Sequence, residues 1–508
     1  MSARQELRDL LRHRSLQYAA EATLLAGIGA IAFALKLSVL DPDVWWHLKV
    51  GDWIVHHMAV PHVGILSRTA AQRPWVAYSW GYEVMLSRAY AWFGLVGIGV
   101  FGTLLTLIVA YSVYWMARRL SAQFWLSVLL SIAAFSAFLF NGMPRPFFFS
   151  IALFCVMLTL ILEAHRTGRQ QLLYWLPLIF MLWANLHIQF VYGLFVLGLY
   201  VGVNLAQTIA KSGGFALDCL APMELPAKPL LAITGASFAA TLIGPNTYHP
   251  YISVLEYSQA KFSYRVIVEL QPLSFRGFSH FVELFLGAAG FYAVGFRKKL
   301  DLFKLLLMVA TVVIAFRTMR DAWFLCASAV ACIADVAPEE RAPETQEIRE
   351  TWSGFSGVVL AVAVLLTLFT RGTDFNERAL DRTISGTYPV NAVNFLRQNP
   401  VPGPLYNNLN WGGFLMWYMP DHPVAIDGRN DLYGDELDKL FYASQSADTG
   451  YATDPYLNEA GVVILDSTLP LAKILTVDPR FSLVYRDQIA TVFARRRDDP
   501  VEDKYTSR

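Results

Sequence analysis

Asp41-Pro42-Asp43-Val44-Trp45-Trp46-His47-Leu48-Lys49-Val50-Gly51-Asp52-Trp53 follows directly on the first long apolar segment of the chain. Asp41, Asp43, His47, Lys49 and three indoles arrive within this one short run. Asp43 precedes a helix-like pattern and is expected to cap it, since its side-chain oxygen can accept the orphan N–H groups of a first turn. Asp43 and His47 stand four apart and would share a face of that helix. A cap plus an interfacial aromatic belt accounts for any one of these residues. It does not account for the cluster, because Asp41 is left over once the cap is filled.

Upstream, Met1 to Arg14 is polar, with arginines at 4, 8, 12 and 14. The apolar run from Leu16 to Leu40 is too long for a signal-peptide core and lacks a small-residue cleavage site, so a retained first transmembrane helix is expected. Downstream, residues 41–92 read as a long outer loop with two Trp-rich amphipathic helices, near Trp45–His57 and Ser79–Trp92, suited to an interface plane.

Further apolar spans are predicted near Phe93–Met116, Phe124–Phe140, Phe147–Leu162, Leu172–Ala184, Phe190–Ala210 and Leu230–Ile243. Four more lie near Phe281–Phe296, Leu302–Phe316, Ala322–Ala337 and Phe355–Thr370, which brings the count to about eleven. Several are shorter than the ~20 residues a perpendicular helix needs. The composition agrees: 55% of the 508 residues are hydrophobic and 16% charged, against about 25% charged in an ordinary soluble domain. Mean hydropathy is +0.40. A net charge of +1 gives no nucleic-acid footprint. Cys155, Cys219, Cys326 and Cys332 show neither metal-ligand nor disulfide spacing and read as small buried hydrophobes.

Loop charges set an orientation. Arg118-Arg119, Arg166 with Arg169, Lys211 with Lys228, and Arg297-Lys298-Lys299 fall on one side together with the basic N-terminus. The positive-inside rule makes that side cytoplasmic. The opposite side receives loop 41–92, Arg145 between Pro144 and Pro146, Asn185 and His187, residues 245–280, and Arg317 and Arg320 between two apolar spans. Charges at membrane depth are costly and mark candidate sites.

After Thr370 the composition changes. Residues 1–370 form the transmembrane domain, 371–387 a linker, and 388–508 a soluble extracytoplasmic α/β domain with strands expected at Pro404–Asn407, Pro423–Asp427, Gly461–Asp466, Ser482–Arg486 and Ala490–Ala494. No nucleotide-binding glycine pattern occurs. Asp427-Gly428-Arg429 closes one of these strands with polar side chains.

The chain resembles the integral-membrane glycosyltransferases of the GT-C fold, which include oligosaccharyltransferases and protein mannosyltransferases. The resemblance rests on Asp41 to Leu48 with Gly51, on Arg145-Pro146, on Leu182 to His187, on Asn407 to Gly413, and on Ile426 to Arg429. The Trp-Trp-Asp acceptor motif of oligosaccharyltransferases is missing, so N-glycosylation is not supported.

What the resemblance implies is a polytopic α-helical enzyme of a bacterial inner membrane with a soluble α/β domain. It would be a hexosyltransferase-type enzyme, moving a sugar from a polyprenyl phosphate to the hydroxyl of a glycan, lipid or protein acceptor. Asp43 is then the first choice for the general base and Asp41 the second, with His47 or His187 orienting the acceptor or the base. Lys49, Arg145, Arg317 and Arg320 would hold the phosphate, and Asn185, Asp427 and Arg429 complete the candidate substrate contacts. The resemblance fixes no cofactor; Asp41 and Asp43 can offer oxygen ligands to a divalent ion. A carrier or flippase for lipid-linked glycans is the alternative, but no internal repeat of the kind expected there is present. A non-catalytic glycan-assembly protein is the third reading.

Overall fold

The computed structural model describes residues 14–141, 143–215, 217–223, 225–336 and 376–496. The expected span at Phe355–Thr370 and the basic N-terminal arginines before Arg14 lie outside them. Chain contacts divide the molecule into two units, one drawn from the described residues of Met1–Ser38, Ala77–Gln259 and Tyr264–Asn376. The other is drawn from those of Val39–Val76, Ala260–Ser263 and Glu377–Arg508.

The first unit is helical. Among the described residues, five helical stretches are long and apolar enough to cross a membrane: Ser15–Leu40, Trp80–Leu120, Phe147–Thr167, Phe190–Ser212 and Phe278–Gly295. Other expected spans correspond to helices at Phe124–Asn141, Leu176–Leu186, Ala227–Thr241, Leu302–Arg317 and Ala322–Val336.

The two pieces expected on either side of Trp92 are one helix, Trp80–Leu120, broken at Gly94 (φ 59°, ψ −143°). Glycine adopts that backbone without a Cβ penalty. Ala322–Val336 is the buried centre of the bundle, with Ala327, Ala329, Ala331 and Ala334 fully enclosed. A Cβ on Gly290 would stand 2.7 Å from Met308 Cε and 3.1 Å from Ala329 Cβ. Small residues thus bring these helices close, the packing that works where lipid supplies no hydrophobic drive. Cys155, Cys326 and Cys332 are buried there as expected, but Cys219 is exposed. It lies in a connector whose Ala221 N–H donates to the Leu300 carbonyl at 2.8 Å, away from any apolar core.

The second unit carries a four-stranded sheet of β1 (Leu405–Asn407), β2 (Val462–Asp466), β3 (Phe481–Arg486) and β4 (Ala490–Arg495), in the order β1-β2-β4-β3. β1 and β2 run parallel, and the other two pairings are antiparallel. The expected strand at Pro423–Asp427 is not one. Its backbone bonds go elsewhere: Val424 exchanges with Leu66 and Arg68, while the Asn407 side chain accepts from Ala425 N and donates to the Ile426 carbonyl.

The helix Pro42–His57 belongs to this unit and packs into its core. Trp45 is fully buried, edge-on to Tyr388 and Phe414 at centroid distances of 5.8 and 5.7 Å. Tyr388 also donates its hydroxyl to the Leu40 carbonyl at 2.9 Å.

Candidate functional site

In the second unit, Asp41 and not Asp43 is the N-cap of Pro42–His57. Asp41 Oδ1 accepts the Asp43 N–H at 3.0 Å, and its backbone is extended (φ −69°, ψ 120°). The reason is Pro42: proline is favoured at the first helical position, where its missing N–H is no loss, and so the residue before it caps. Asp43 stands inside the first turn, where a carboxylate meets the positive end of the helix dipole. It is half-buried, whereas Asp41 is 2% exposed. Trp46, one turn on, donates its indole N–H to Asp43 Oδ1 at 3.0 Å. His47 is buried, its ring tilted 31° against that of Trp46 with centroids 3.5 Å apart.

Three stretches far apart in sequence converge on this first turn. A Cβ on Gly413 would come within 2.9 Å of Trp46 N and 3.0 Å of the Pro42 carbonyl. One on Gly412 would overlap the Ile426 carbonyl, and one on Gly428 would overlap Asp43 Oδ1. The absence of side chains at these positions lets Gly413 lie against the backbone of the first turn, Gly412 against Ile426 and Asp427, and Gly428 against the Asp43 carboxylate.

Asp427 and Arg429, expected as substrate contacts, are fully buried and bonded to each other. Arg429 Nε and Nη2 reach Asp427 Oδ1 and Oδ2, each at 2.8 Å, and Nη2 also reaches the Ile65 carbonyl at 3.0 Å. Tyr433 donates its hydroxyl to Asp427 Oδ2 at 2.5 Å, and the guanidinium lies 4.9 Å from the Trp75 ring. This pair shapes the turn that carries Gly428. Lys49 pairs with Asp52 at 3.2 Å and lies over the Trp417 ring. Six residues beyond Asp43, it stands on a different face of the helix.

In the first unit, Arg145 donates to Glu269 Oε1 at 3.0 Å. Burial would raise the Glu269 pKa, but the Arg145 and Arg320 guanidiniums outweigh it and hold it below the ordinary value. Burial likewise works against the Arg320 charge, and Glu269 restores it, so that the net direction is upward. Glu269 and Arg320 line a cavity of about 20 Å³ with Phe147, Ile151 and Trp323, room for little more than one water.

His187 Nδ1 sits 2.8 Å from Ser150 Oγ, and Ser150 in turn accepts from Trp183 Nε1 at 2.7 Å. The Gln189 backbone N–H also points at Nδ1, at 3.5 Å; with Nδ1 as an acceptor, the Ser150 hydroxyl donates to it and the ring proton sits on Nε2. Burial, and then the Arg320 charge, hold the His187 pKa well below its ordinary value, so the ring is neutral. Asn185 is spent on structure: it accepts from Trp80 Nε1 and donates to the Met181 and Ile243 carbonyls, at 2.8–2.9 Å. Arg317 is exposed and lies 5.3 Å from the Tyr264 ring.

Sequence reasoning missed Asp321. This buried carboxylate accepts from Gln189 Nε2 at 2.7 Å, Tyr192 Oη at 2.9 Å and Thr318 Oγ1 at 2.8 Å. Burial raises its pKa against the pull of those donors and of Arg320. It ties the turn that carries Arg320 to the start of the helix Phe190–Ser212. Glu269 and Gly428 were missed as well, the first because its partner is distant in sequence, the second because a bare glycine carries no chemistry of its own.

No group of three or more His, Cys, Asp or Glu gathers among the described residues. Asp41 and Asp43 each commit one oxygen to an N–H, so a divalent ion held there would draw most of its ligands from water or substrate.

No family model matches the chain, and no curated protein matches it. Solved structures do. The archaeal oligosaccharyltransferase AglB from Archaeoglobus fulgidus, in complex with an inhibitory peptide and a dolichol-phosphate, matches with a TM-score of 0.51 and 12% identity, over 89% of this chain and 70% of that one. An Archaeoglobus fulgidus oligosaccharyltransferase tethered with an acceptor peptide matches with a TM-score of 0.52 and 11% identity, over 96% and 75%. ArnT from Cupriavidus metallidurans, bound to undecaprenyl phosphate, reaches a TM-score of 0.47 at 12% identity, over 93% and 97%, too low to argue from. At such identities the likeness is one of fold. This chain is a membrane protein with the GT-C-like fold of those oligosaccharyltransferases, a helical membrane part and a small sheet.

Proposed function

We propose that the chain is an inverting membrane glycosyltransferase that moves a sugar from a polyprenyl-phosphate donor to a hydroxyl of an extracytoplasmic acceptor. The observation that carries this reading is Asp43: a half-buried carboxylate, not needed as the helix cap, oriented by Trp46 and met by Gly428. The acceptor oxygen forms its bond to the anomeric carbon from the face opposite the phosphate. The bond from that carbon to the phosphate oxygen breaks, and the acceptor proton passes to Asp43, which is general-base work. The leaving phosphate needs positive charge and donors rather than an acid. Within the first unit, Arg145 and Arg320 have the chemistry for that role, neutral His187 can donate through Nε2, and Asp321 anchors the turn that carries Arg320.

A bacterial inner-membrane location, about eleven spans, and outward placement of loop 41–92 and residues 388–508 belong to the same proposal. They are supported by the distribution of basic loops. Of the two oligosaccharyltransferase structures named above, one carries a dolichol-phosphate with an inhibitory peptide and the other a tethered acceptor peptide, which favours a donor and acceptor of these general kinds. The test is to incubate the purified protein with radiolabelled polyprenyl-phosphate sugars and an envelope extract. Transfer that is lost in Asp43→Asn supports the reading; transfer at an equal rate in both proteins overturns the assignment of the base.

A further inference from the structure

A second cavity, of about 320 Å³, lies in the first unit between Lys211 and Lys299. Lys211 is in the last turn of Phe190–Ser212, and Lys299 follows soon after Phe278–Gly295. Both helices are apolar enough to cross a membrane, so both ammonium groups stand at the ends of spans, the level at which headgroups lie. The cavity wall is built rather than incidental. Leu300 donates to the Cys219 carbonyl at 2.9 Å and accepts from Ala221 at 2.8 Å. Buried Gln207 donates to the Ala221 carbonyl and accepts from Met223 N, both at 3.1 Å.

Both lysines are exposed, and neither makes an ion pair among the described residues. Among the described residues Asp218 is the one carboxylate in the lining, against two lysines. Phe215, 71% exposed, supplies an apolar edge to the same opening.

We propose that this cavity takes the phosphate headgroup of an anionic membrane phospholipid, with Lys211 and Lys299 on the phosphate and Phe215 beside the acyl chain. Basic pockets at the ends of spans recognise such headgroups by charge, and an adjoining apolar edge selects a tailed ligand over a free phosphate. The site is independent of the transfer reaction proposed above.

The test is native mass spectrometry of the full-length protein titrated with phosphatidylglycerol, phosphatidylcholine and glycerol 3-phosphate. Phosphatidylglycerol should be retained well above phosphatidylcholine. Lys211→Gln with Lys299→Gln should weaken it about thirtyfold, the factor for two surface lysines. Asp218→Asn should tighten it, and Lys473→Gln, in the other unit, should leave it unchanged. Equal retention of the two lipids, no response to the lysine pair, or glycerol 3-phosphate bound as tightly as the lipid would each overturn the proposal.

Discussion

Trp46 donates its indole N–H to Asp43 at 3.0 Å, three residues away on the same helix. An indole on one carboxylate oxygen fixes the plane of the group. Asparagine in place of Asp43 can still accept that bond through its own Oδ1, and Asp41 continues to cap. Asp43→Asn should therefore keep the fold and the donor affinity while turnover falls about 10²–10⁴-fold, the usual contribution of a positioned base. Transfer rates under saturating donor, with a melting curve as control, check this.

Asp41 has a different signature. Asp41→Ala removes the cap and should cost about 1 kcal/mol of stability, whereas Asp41→Asn should cost little, since asparagine caps as well as aspartate. Thermal unfolding of the two variants side by side measures the difference.

Gly428 has no chemistry to lose. A methyl there would overlap Asp43 Oδ1. Gly428→Ala should thus lower turnover by about 10²-fold, the scale of a 1 Å misplacement of a reacting group. Donor binding should change far less, and a direct binding assay beside the rate assay separates the two.

Arg145 now has a known partner. Arg145→Ala should weaken donor binding by about 1.5–3 kcal/mol, the range for a charge-assisted bond. It also leaves Glu269 with less positive charge nearby, so the Glu269 pKa should rise. Arg145→Lys should restore Glu269 but only part of the donor affinity, because an ammonium lacks the planar fork. Equilibrium binding of a polyprenyl phosphate to the three proteins decides it.

Asp438 in the second unit gives a pH dependence. Burial first, and then the Asp435 charge, push its pKa from 3.8 to about 7. The folded state therefore holds a proton that the unfolded state has lost, and this contribution to stability falls as pH rises between about 4 and 7. Asp438→Asn should abolish that fall. The variant should gain in melting temperature relative to the native protein at about pH 8 and match it near pH 4.

Much of the candidate site was legible in the sequence, for physical reasons that also mark where reading fails. Asp41 to Gly51, Asn407 to Gly413 and Ile426 to Arg429 were each singled out, and all three meet at the first turn of Pro42–His57. The cap was misassigned because Asp41 and Asp43 are both good caps, although Pro42 held the answer. Val424-Ala425-Ile426 has the composition of a strand, but its hydrogen-bond partners are a side chain, Asn407, and residues 66–68, which no periodicity reveals. Arg145 and Glu269 are 124 residues apart, and nothing local to either announces the other. Asp427-Gly428-Arg429 advertised charge and delivered a closed ion pair. The contact of that turn with Asp43 is made by the glycine between them.

Tyr388 bonds to Leu40 across a sequence separation of 348 residues. The consequence is one of timing. During synthesis the helix Pro42–His57 emerges early, yet Tyr388, Phe414 and Gly413 do not yet exist to receive Trp45 and Trp46. At about 5–20 residues per second the wait spans roughly 17–70 s for that separation. The segment that bears the proposed base must therefore outlast the production of every intervening helix with its indoles unsheltered.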